Sequence, residues 1–252
     1  CLKSEEWESL FHFSQEDIHA LRSIKGKMSF SISVTKKVYE RGFEVIPVHS
    51  KSYSSHLREK LGKSHAPTIV YAKGNIGLLN IPSVSIFGSN QGVGSGLIFT
   101  QNLVRQLVQE KRVLVTSYEP GYNRYVLNLC LQFQGHSLVL LDNGVLSLKR
   151  PLDLFEPYIA QGQILFLSTI FPQNSKGKKW SFNRDLLLYG LARDIYITDA
   201  VEKRQIWRWV LRGLKQNKPF YVRIPEKNEK SANHFFIVNG AIPVDLNGKI
   251  LN

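Results

Sequence analysis

The fold is decided by the stretch Val84-Ser85-Ile86-Phe87-Gly88-Ser89-Asn90-Gln91-Gly92-Val93-Gly94-Ser95-Gly96. Its first four residues are typical of a short buried strand, and its glycines indicate a loop. The segment that follows is amphipathic, with Ile98, Leu103, Leu107 and Val108 on one side of a helix. A strand, a glycine loop and a helix in this order predict one β-α unit of a parallel sheet.

The same loop is a candidate anion site. Glycines let the backbone approach a phosphate closely, and the free N–H groups of the first helical turn point towards it. Two stricter fingerprints are absent, since no Lys-Ser/Thr pair follows the glycines and the spacing does not fit G-x-G-x-x-G. A tight strand-to-helix turn without a ligand is the alternative. The candidate phosphate-binding residues of this loop are Gly88, Ser89, Asn90, Gly92, Gly94 and Gly96.

From residue 66 onwards, short apolar runs alternate with helical stretches. Near-continuous apolar strands separated by helices predict a parallel sheet that is covered on both faces. We therefore expect an α/β protein with a doubly wound, mostly parallel sheet. The expected strands are Thr68–Tyr71, Val84–Phe87, Val113–Thr116, Ser137–Leu141, Ile164–Leu167, Ile195–Thr198 and Phe220–Arg223. The expected helices are Gly96–Glu110, Gly121–Gln134, Leu152–Gln161, Asn183–Arg193 and Glu202–Gln216.

The two ends of the chain do not follow this alternation of apolar runs and helical stretches. We expect residues 1–62 to form a small helical N-terminal segment and residues 63–252 to form the domain that contains the sheet. Ser14 is a predicted N-cap, with Asp17 three residues on as in a capping box. Because the chain begins at Cys rather than Met, we expect its N-terminus to be trimmed or incomplete. At the other end, Phe235–Val238, Asn239-Gly240 and Ile242–Val244 predict a strand, a turn and an extended end.

Composition excludes several classes of protein. Apolar residues make up 43% of the 252, which is enough for a sizeable core. The longest apolar runs are about half as long as a membrane span, and the acidic start does not resemble a signal peptide. The two cysteines form neither a disulfide framework nor a zinc pattern, so we expect a cytoplasmic protein without a membrane partner.

The charge suggests a polyanionic partner, since the net charge is +13 and the pI is about 9.7. One basic cluster, Lys176–Arg184, interleaves cations with aromatic residues. This mixture suits single strands, because phosphates meet cations and bases stack on rings. The predicted helix Glu202–Gln216 carries a second basic stripe. For both clusters, a solvated surface that only aids solubility is the alternative. The candidate DNA contacts of the first cluster are Lys178, Lys179 and Arg184.

The residue patterns of common catalytic and metal sites are missing. The seven histidines are scattered, and none forms H-E-x-x-H or pairs with a cysteine at ligand spacing. No G-x-S-x-G elbow occurs in the sequence. We therefore expect a protein that is not an enzyme and that uses no metal or other cofactor.

Seven short blocks follow one another in the order known from one family. The blocks are Arg41–Ile46 with Tyr53–Leu57, Ala66–Asn75, Gly88–Gly96, Thr116–Asn123, Gly162–Ser168 with Pro172, Phe182–Leu191, and Asn233–Ala241. The third block falls on the family pattern G-S-R-x-x-T-x-Y-G, and the fourth falls on S-G-x-A-x-G-I-D. Over residues 38–252 the chain thus resembles the DNA-processing protein A (DprA/Smf) family, which has an extended Rossmann fold.

Several pocket residues depart from the family pattern. Asn90 stands where the family has an arginine, Asn123 where it has an aspartate, and Leu127 where it has a histidine. The family's R-N-R run keeps only Arg184. The glycines and the apolar core positions remain, so we expect the fold to be retained in a divergent member.

The resemblance implies a function. Such a chain is expected to bind single-stranded DNA in DNA processing and recombination, to form a homodimer, and to help load a RecA-type recombinase during natural transformation. The resemblance also adds Ser117 and Gly121 to the candidate DNA contacts. The alternative is a nucleotide-binding or partner-binding relative that serves a phage-defence or mobile-element system. A nucleotide-cleaving phosphoribohydrolase is disfavoured, because its P-G-G-x-G-T-x-x-E motif is absent.

Overall fold

The computed structural model describes residues 14–88, 94–148, 152–175, 186–202, 205–215, 218–227, 229 and 231–251. Within these residues, nine strands form one sheet. The strands are β1 Glu44–Pro47, β2 Ile69–Gly74, β3 Ser83–Phe87, β4 Val113–Ser117, β5 His136–Leu140, β6 Ile164–Ser168, β7 Asp194–Ile197, β8 Phe220–Arg223 and β9 Ile242–Val244.

Two helices precede β1, and helices connect most of the strands that follow. The helices are α1 Gln15–Lys25, α2 Met28–Glu40, α3 Ser55–His65, α4 Ser95–Gln109, α5 Tyr122–Gln132, α6 Glu156–Ala160, α7 Gln205–Leu214 and α8 Asn233–Val238. Residues 186–191 are also helical, and Ile76–Asn80 and Asp153–Phe155 form short 3₁₀ turns.

The strand order across the sheet is β1-β2-β6-β5-β4-β3-β7-β8-β9. Every neighbouring pair from β6 to β9 is parallel, whereas β2 runs antiparallel to both β1 and β6. The chain thus builds outwards from β3 in one direction and later returns to add β7 on its other side. This arrangement confirms the predicted doubly wound, mostly parallel sheet of the Rossmann type.

Burial on both faces explains why the sequences of the strands are continuous apolar runs. All five residues of β4 and all five of β6 are buried. In a parallel sheet the crossover helices cover both faces, so both sets of strand side chains leave water. On one face, α4 packs Phe99, Leu103 and Leu107 into the core. Leu57 and Leu61 of α3 join the core cluster that contains Val115.

The start of the described chain follows the expected capping chemistry. The Ser14 side chain accepts a hydrogen bond from the Asp17 backbone, and the Asp17 carboxylate accepts one from the Ser14 backbone. This pair confirms the predicted capping box of α1. Further along, α2 buries Val38 beside Phe43, and β1 pairs with β2 in the sheet.

One expectation at the C-terminus is wrong. Residues 235–238, expected as a strand, belong to the helix α8, whose buried residues Asn233 and Phe236 are three positions apart. The reason is topological, because β9 pairs parallel with β8. Parallel neighbours need a crossover connection and cannot be joined by a tight hairpin. The Asn239-Gly240 pair therefore ends a crossover helix, with Gly240 at a φ of 99°.

In the part of the chain that the structure describes, no helix has both the length and the apolar character needed to cross a membrane.

Candidate nucleic-acid interface at the carboxyl edge of the sheet

The candidate site lies where the direction of the sheet reverses. β3 is flanked by β4 on one side and by β7 on the other, and both neighbours are parallel to it. Phe87 is paired with Ile197, and the Thr198 N–H donates to the Phe87 carbonyl oxygen at 2.8 Å. In open α/β sheets, ligands bind in the crevice outside the carboxyl ends of the strands at such a reversal. The glycine loop that follows β3 begins at this crevice.

The described glycines of the loop are fixed by two kinds of requirement. A Cβ atom on Gly88 would lie 2.5 Å from Cζ of Tyr122, because the tyrosine ring packs directly against the backbone there. Gly94 is the N-cap of α4 and has a φ of 66°, in the left-handed region that favours glycine. A Cβ atom on Gly96 would lie 3.3 Å from Cγ2 of Thr198. The loop therefore needs glycine both for conformation and for close approach.

The first turn of α4 has N–H groups that the helix itself does not use. The N–H groups of Leu97 and Ile98 donate to the Gly94 carbonyl oxygen at 3.1 and 3.2 Å. The N–H groups of Ser95 and Gly96 consequently have no acceptor within the helix. The first turn of α4 contains no acidic residue. An anion above this helix start would accept hydrogen bonds and would meet the positive end of the helix dipole.

Three buried hydroxyl groups form a hydrogen-bonded cluster next to the start of α4. The Tyr122 hydroxyl lies 2.8 Å from Oγ1 of Thr100 and 2.7 Å from Oγ1 of Thr198, and the two threonine oxygens are 3.2 Å apart. Burial raises the pKa of the Tyr122 phenol well above its usual range, although the hydrogen bonds from the threonines oppose that shift. The phenol therefore stays protonated. The cluster links the starts of α4 and α5 to the end of β7.

Arg223 is a cation buried beside the same crevice. It ends β8, and its side chain has no exposed surface. Nε donates to the Thr198 carbonyl oxygen at 2.8 Å, and NH1 donates to Oγ of Ser95 at 3.3 Å and to the Ile224 carbonyl oxygen at 3.2 Å. NH2 forms an ion pair with Glu229. The guanidinium thus extends from β8 past the end of β7 to the first residue of α4.

Two side chains hold Arg223 in place. Burial alone would raise the pKa of Glu229, but the hydrogen bonds from Arg223 and from the Glu226 N–H, with the charge of Arg223, lower it below its usual range. Asn233 donates to the carbonyl oxygens of Thr198 and Arg223 at 3.0 and 2.8 Å. Because these carbonyls belong to neighbouring strand ends, the amide ties the two ends together. Removing either partner would leave a buried charge or buried carbonyl groups unpaired.

A second loop lies next to the first, after β4. Ser117 is buried, and its Oγ accepts a hydrogen bond from Nδ2 of Asn123 at 2.7 Å. Gly121 is exposed, has a φ of 88° and is the N-cap of α5, whose first turn also lacks acidic residues. Two helix N-termini are therefore presented side by side at the carboxyl edge of the sheet.

Five of the eleven candidate DNA contacts are among the described residues. The structure brings five of them to this edge: Gly88, Gly94, Gly96, Ser117 and Gly121. The other six lie outside the described residues: Ser89, Asn90, Gly92, Lys178, Lys179 and Arg184. Of the aromatic residues on the basic helix, Trp207 packs with its ring centroid 4.6 Å from Phe235 and 4.9 Å from Phe236, which makes it a packing residue.

The sequence reasoning missed Arg223, Tyr122 and Thr198. The available signal for Arg223 is its place at the end of the otherwise apolar stretch Phe220-Tyr221-Val222, where a buried arginine needs partners. The local sequence around Tyr122 or Thr198 does not predict their contact, because the two residues are 76 positions apart.

Comparison with known proteins fits this geometry. The family model described as DNA recombination-mediator protein A matches residues 44–252. DNA processing protein A from Streptococcus pneumoniae has a similar structure, with a TM-score of 0.67 and 20% identity over 80% of this chain and 71% of that one. The protein of the same name from Helicobacter pylori, described for its single-stranded DNA binding mode, has a TM-score of 0.64 and 21% identity over 80% of this chain and 90% of that one. No curated protein sequence matches the chain.

The structural similarity, at about a fifth of identical residues, supports the fold alone. The family model adds a sequence match that begins at the first residue of β1 and runs through the glycine loop to Asn252. This match covers most of the chain, and its span includes six of the seven blocks and the part of the first block from Glu44 onwards. The chain therefore belongs to the DNA recombination-mediator protein A family.

Proposed function

We propose that this protein binds single-stranded DNA along the carboxyl edge of its sheet and acts without catalysis in DNA recombination. The observation that carries the proposal is the crevice between β3 and β7, where the start of α4 and the buried guanidinium of Arg223 lie together. The helix start contributes positive potential at this point, Arg223 is balanced by Glu229 and fixes the first residue of α4 through Ser95, and the net charge of +13 extends the positive potential over the molecule. The family membership supports a role in recombination, and the Helicobacter pylori relative is described as binding single-stranded DNA.

In this proposal the backbone holds the phosphates and the basic residues steer the strand. Gly88, Ser89, Asn90, Gly92, Gly94 and Gly96 form the first phosphate subsite, and Ser117 with Gly121 borders the second loop. Lys178, Lys179 and Arg184 add charge contacts from the cluster after β6. Because phosphate contacts carry no sequence information, binding should be tolerant of sequence.

The finer role is proposed from family membership. We expect the protein–DNA complex to recruit a RecA-type recombinase during DNA uptake, and we expect the protein to act as a homodimer. Of the expected division at residues 62 and 63, what stays a proposal is a helical segment before β1, because Glu44–Pro47 itself pairs with β2 in the sheet. Light scattering of the protein with and without DNA tests the dimer, and loading of a purified recombinase on coated single strands tests the recruitment.

The central experiment compares a labelled single-stranded oligonucleotide with its duplex over a salt series. We expect tighter binding of the single strand and a linear decrease of log K with log salt. A free nucleoside monophosphate is added as a competitor in a parallel series. Full displacement at low concentration would favour a nucleotide-binding protein, and the absence of retention at low salt would contradict the proposal.

A further inference from the structure

A cavity of about 650 Å³ lies beside the second loop, outside the crevice described above. Its walls come from the loop after β4, from the first two turns of α5 and from the residue before Phe155. The lining residues that matter here are Tyr118, Gly121, Arg124, Tyr125, Asn128 and Leu154. The volume is within the range of small-molecule pockets. Leu154 is 82% exposed although it is a large apolar residue, so this wall is open to an incoming ligand.

Arg124 is the charged residue of this cavity and is held by rings. Its guanidinium carbon lies 4.3 Å from the centroid of the Tyr118 ring and 5.4 Å from that of Phe155. Its Nε is buried without a hydrogen-bond partner among the described residues. Arginine is also unfavourable at the third residue of a helix, because the helix N-terminus is already positive. The position of Arg124 is thus explained by packing, and no ion pair described among the residues 14–88, 94–148, 152–175 and 186–251 with their gaps uses its charge.

The rings that hold Arg124 are themselves fixed. Tyr118 and Phe155 are 6% and 4% exposed, and their ring centroids are 5.9 Å apart in an edge-to-face contact. The Tyr118 N–H donates to the Leu140 carbonyl oxygen at 2.8 Å, which extends the strand ladder by one residue. The guanidinium is consequently held in a defined plane before any ligand arrives, which reduces the entropy lost on binding.

A planar cation next to an aromatic side chain and an amide is suited to a nucleobase. Bases stack on arginine and on aromatic rings with little dependence on sequence. Tyr125 offers a partly exposed ring, and the exposed Asn128 amide can donate to or accept from a base edge. An inorganic phosphate would not need the apolar wall at Leu154. The lining therefore favours a base over a bare anion.

The cavity is connected to the glycine loop through Tyr122. This residue follows Gly121 at the start of α5, and its ring packs against Gly88 at the end of β3. Because β3 and β4 are neighbouring strands, the two helix starts are adjacent. We propose that the cavity beside Arg124 binds a nucleobase of the same single strand whose phosphate lies at the glycine loop. This inference rests on the proposed function and assigns it a base-stacking pocket.

The test compares two arginine variants for binding of a labelled single-stranded oligonucleotide. Arg124→Met should weaken binding about 5- to 20-fold, as expected for the loss of one stacked base. Arg105→Met is the matched control, since Arg105 also lies over a ring, 5.0 Å from the centroid of Phe133, but on an exposed part of α4. The control removes the same charge and should weaken binding by less than about threefold. Equal effects of the two variants would overturn the proposal.

A second variant guards against a folding defect in Arg124→Met. Leu154→Asp changes a side chain that is 82% exposed and adds a carboxylate to the cavity wall. It should weaken oligonucleotide binding clearly more than Val238→Asp, which adds the same charge at an 84% exposed position outside the cavity. Equal effects of these two variants would also overturn the pocket.

An abasic scan identifies the base itself. One internal abasic residue should weaken binding to the wild type and should have no further effect on Arg124→Met, because both changes remove the same contact. Additive losses would overturn the pocket.

Binding of a free nucleoside monophosphate distinguishes a failure of the pocket from a failure of the proposed function. If the wild type retains no oligonucleotide but binds the monophosphate in an Arg124-dependent manner, the pocket stands and the single-strand proposal fails. If neither ligand binds, both proposals fail.

Discussion

Arg223 and Glu229 form an ion pair in which the guanidinium is completely buried and the carboxylate side chain is 27% exposed. The pair lies six residues apart across the loop after β8, and the same guanidinium also reaches Ser95 at the start of α4. A buried cation next to a helix N-terminus is costly unless an anion balances it. Glu229 supplies that anion within the fold, so the loop after β8 and the glycine loop are coupled through one side chain.

The first prediction concerns Glu229→Gln. At neutral pH we expect the free energy of unfolding to fall by about 1–3 kcal/mol, because a buried guanidinium loses its charged partner. The pKa of Glu229 is lowered in the folded protein, so its contribution is present above the unfolded pKa and is lost as the pH falls through the folded pKa. The difference between wild type and variant should therefore shrink on acidification. Denaturant unfolding at several pH values measures it.

Glu226→Gln is the control for this prediction. Glu226 is exposed, and its described contact with Glu229 uses the backbone N–H, which the substitution leaves in place. This variant should unfold like the wild type at each pH. A difference for Glu229→Gln that is the same in acid and at neutral pH would show that the ion pair is not its source.

The second prediction concerns Gly88→Ala. A Cβ atom at this position would lie 2.5 Å from Cζ and 2.7 Å from Cε2 of the Tyr122 ring. We expect destabilisation of about 1–3 kcal/mol, the usual cost of overpacking a well-filled site. In a Tyr122→Leu background the same change should cost much less, since the ring is absent. Equal costs in the two backgrounds, measured by denaturant unfolding, would mean that the ring does not determine the requirement for glycine.

Much of the fold could be predicted because its signals are local. The strand Val84–Phe87, the glycine loop and the apolar face of the following helix are all within one stretch of sequence, and burial on both faces imposes the continuous apolar runs. The prediction of a strand for Phe235–Val238 was wrong because it, too, used only local signals. The aromatic and β-branched residues of this segment suit a strand locally, but the parallel pairing of β9 with β8 requires a helix there.

The site was less predictable than the fold, because its side chains come from distant parts of the chain. Glycines at 88, 94 and 96 could be recognised from their spacing alone. Arg223 could not, because its partner Ser95 is 128 residues away and becomes adjacent only when β8 takes its place in the sheet. Arg124 likewise gains its role from Tyr118 and Phe155, which no sequence period connects.

The third prediction separates binding from folding at Gly94. Apart from its chain neighbours, no atom of the described residues lies within 4 Å of a Cβ built there, so a valine side chain would project above the start of α4 without a clash with them. Gly94→Val should abolish retention of the oligonucleotide. Gly62→Val is the matched control, because Gly62 has nearly the same φ of 67° and equally open surroundings in α3. The two variants should have similar melting temperatures. Loss of binding in both would indicate that backbone strain is responsible.

The fourth prediction concerns the arginine position of the family's glycine loop. Asn90→Arg restores the arginine that the family pattern has at this position of the loop, so we expect tighter binding of single strands. The slope of log K against log salt should become steeper by about 0.7, the value for one added phosphate contact on a single strand. Asn102→Arg is the control for charge alone, because Asn102 is a half-buried residue of α4 whose side chain donates to the Leu246 carbonyl oxygen and to Oδ1 of Asn247. An equal gain in the control would contradict a local contact.

The last prediction separates the two kinds of contact expected from the basic cluster after β6. Lys178→Ala combined with Lys179→Ala removes two cations, so the slope of log K against log salt should become shallower by about 1–1.5. The loss should be the same for all base sequences, because phosphates carry no sequence information. Trp180→Ala should weaken binding by about 1–3 kcal/mol if a base stacks on the indole, and it should leave the slope unchanged because no charge is removed. An unchanged slope in the lysine variant would mean that these residues form only a solvated surface, and the charge contacts would then have to come from elsewhere on the protein.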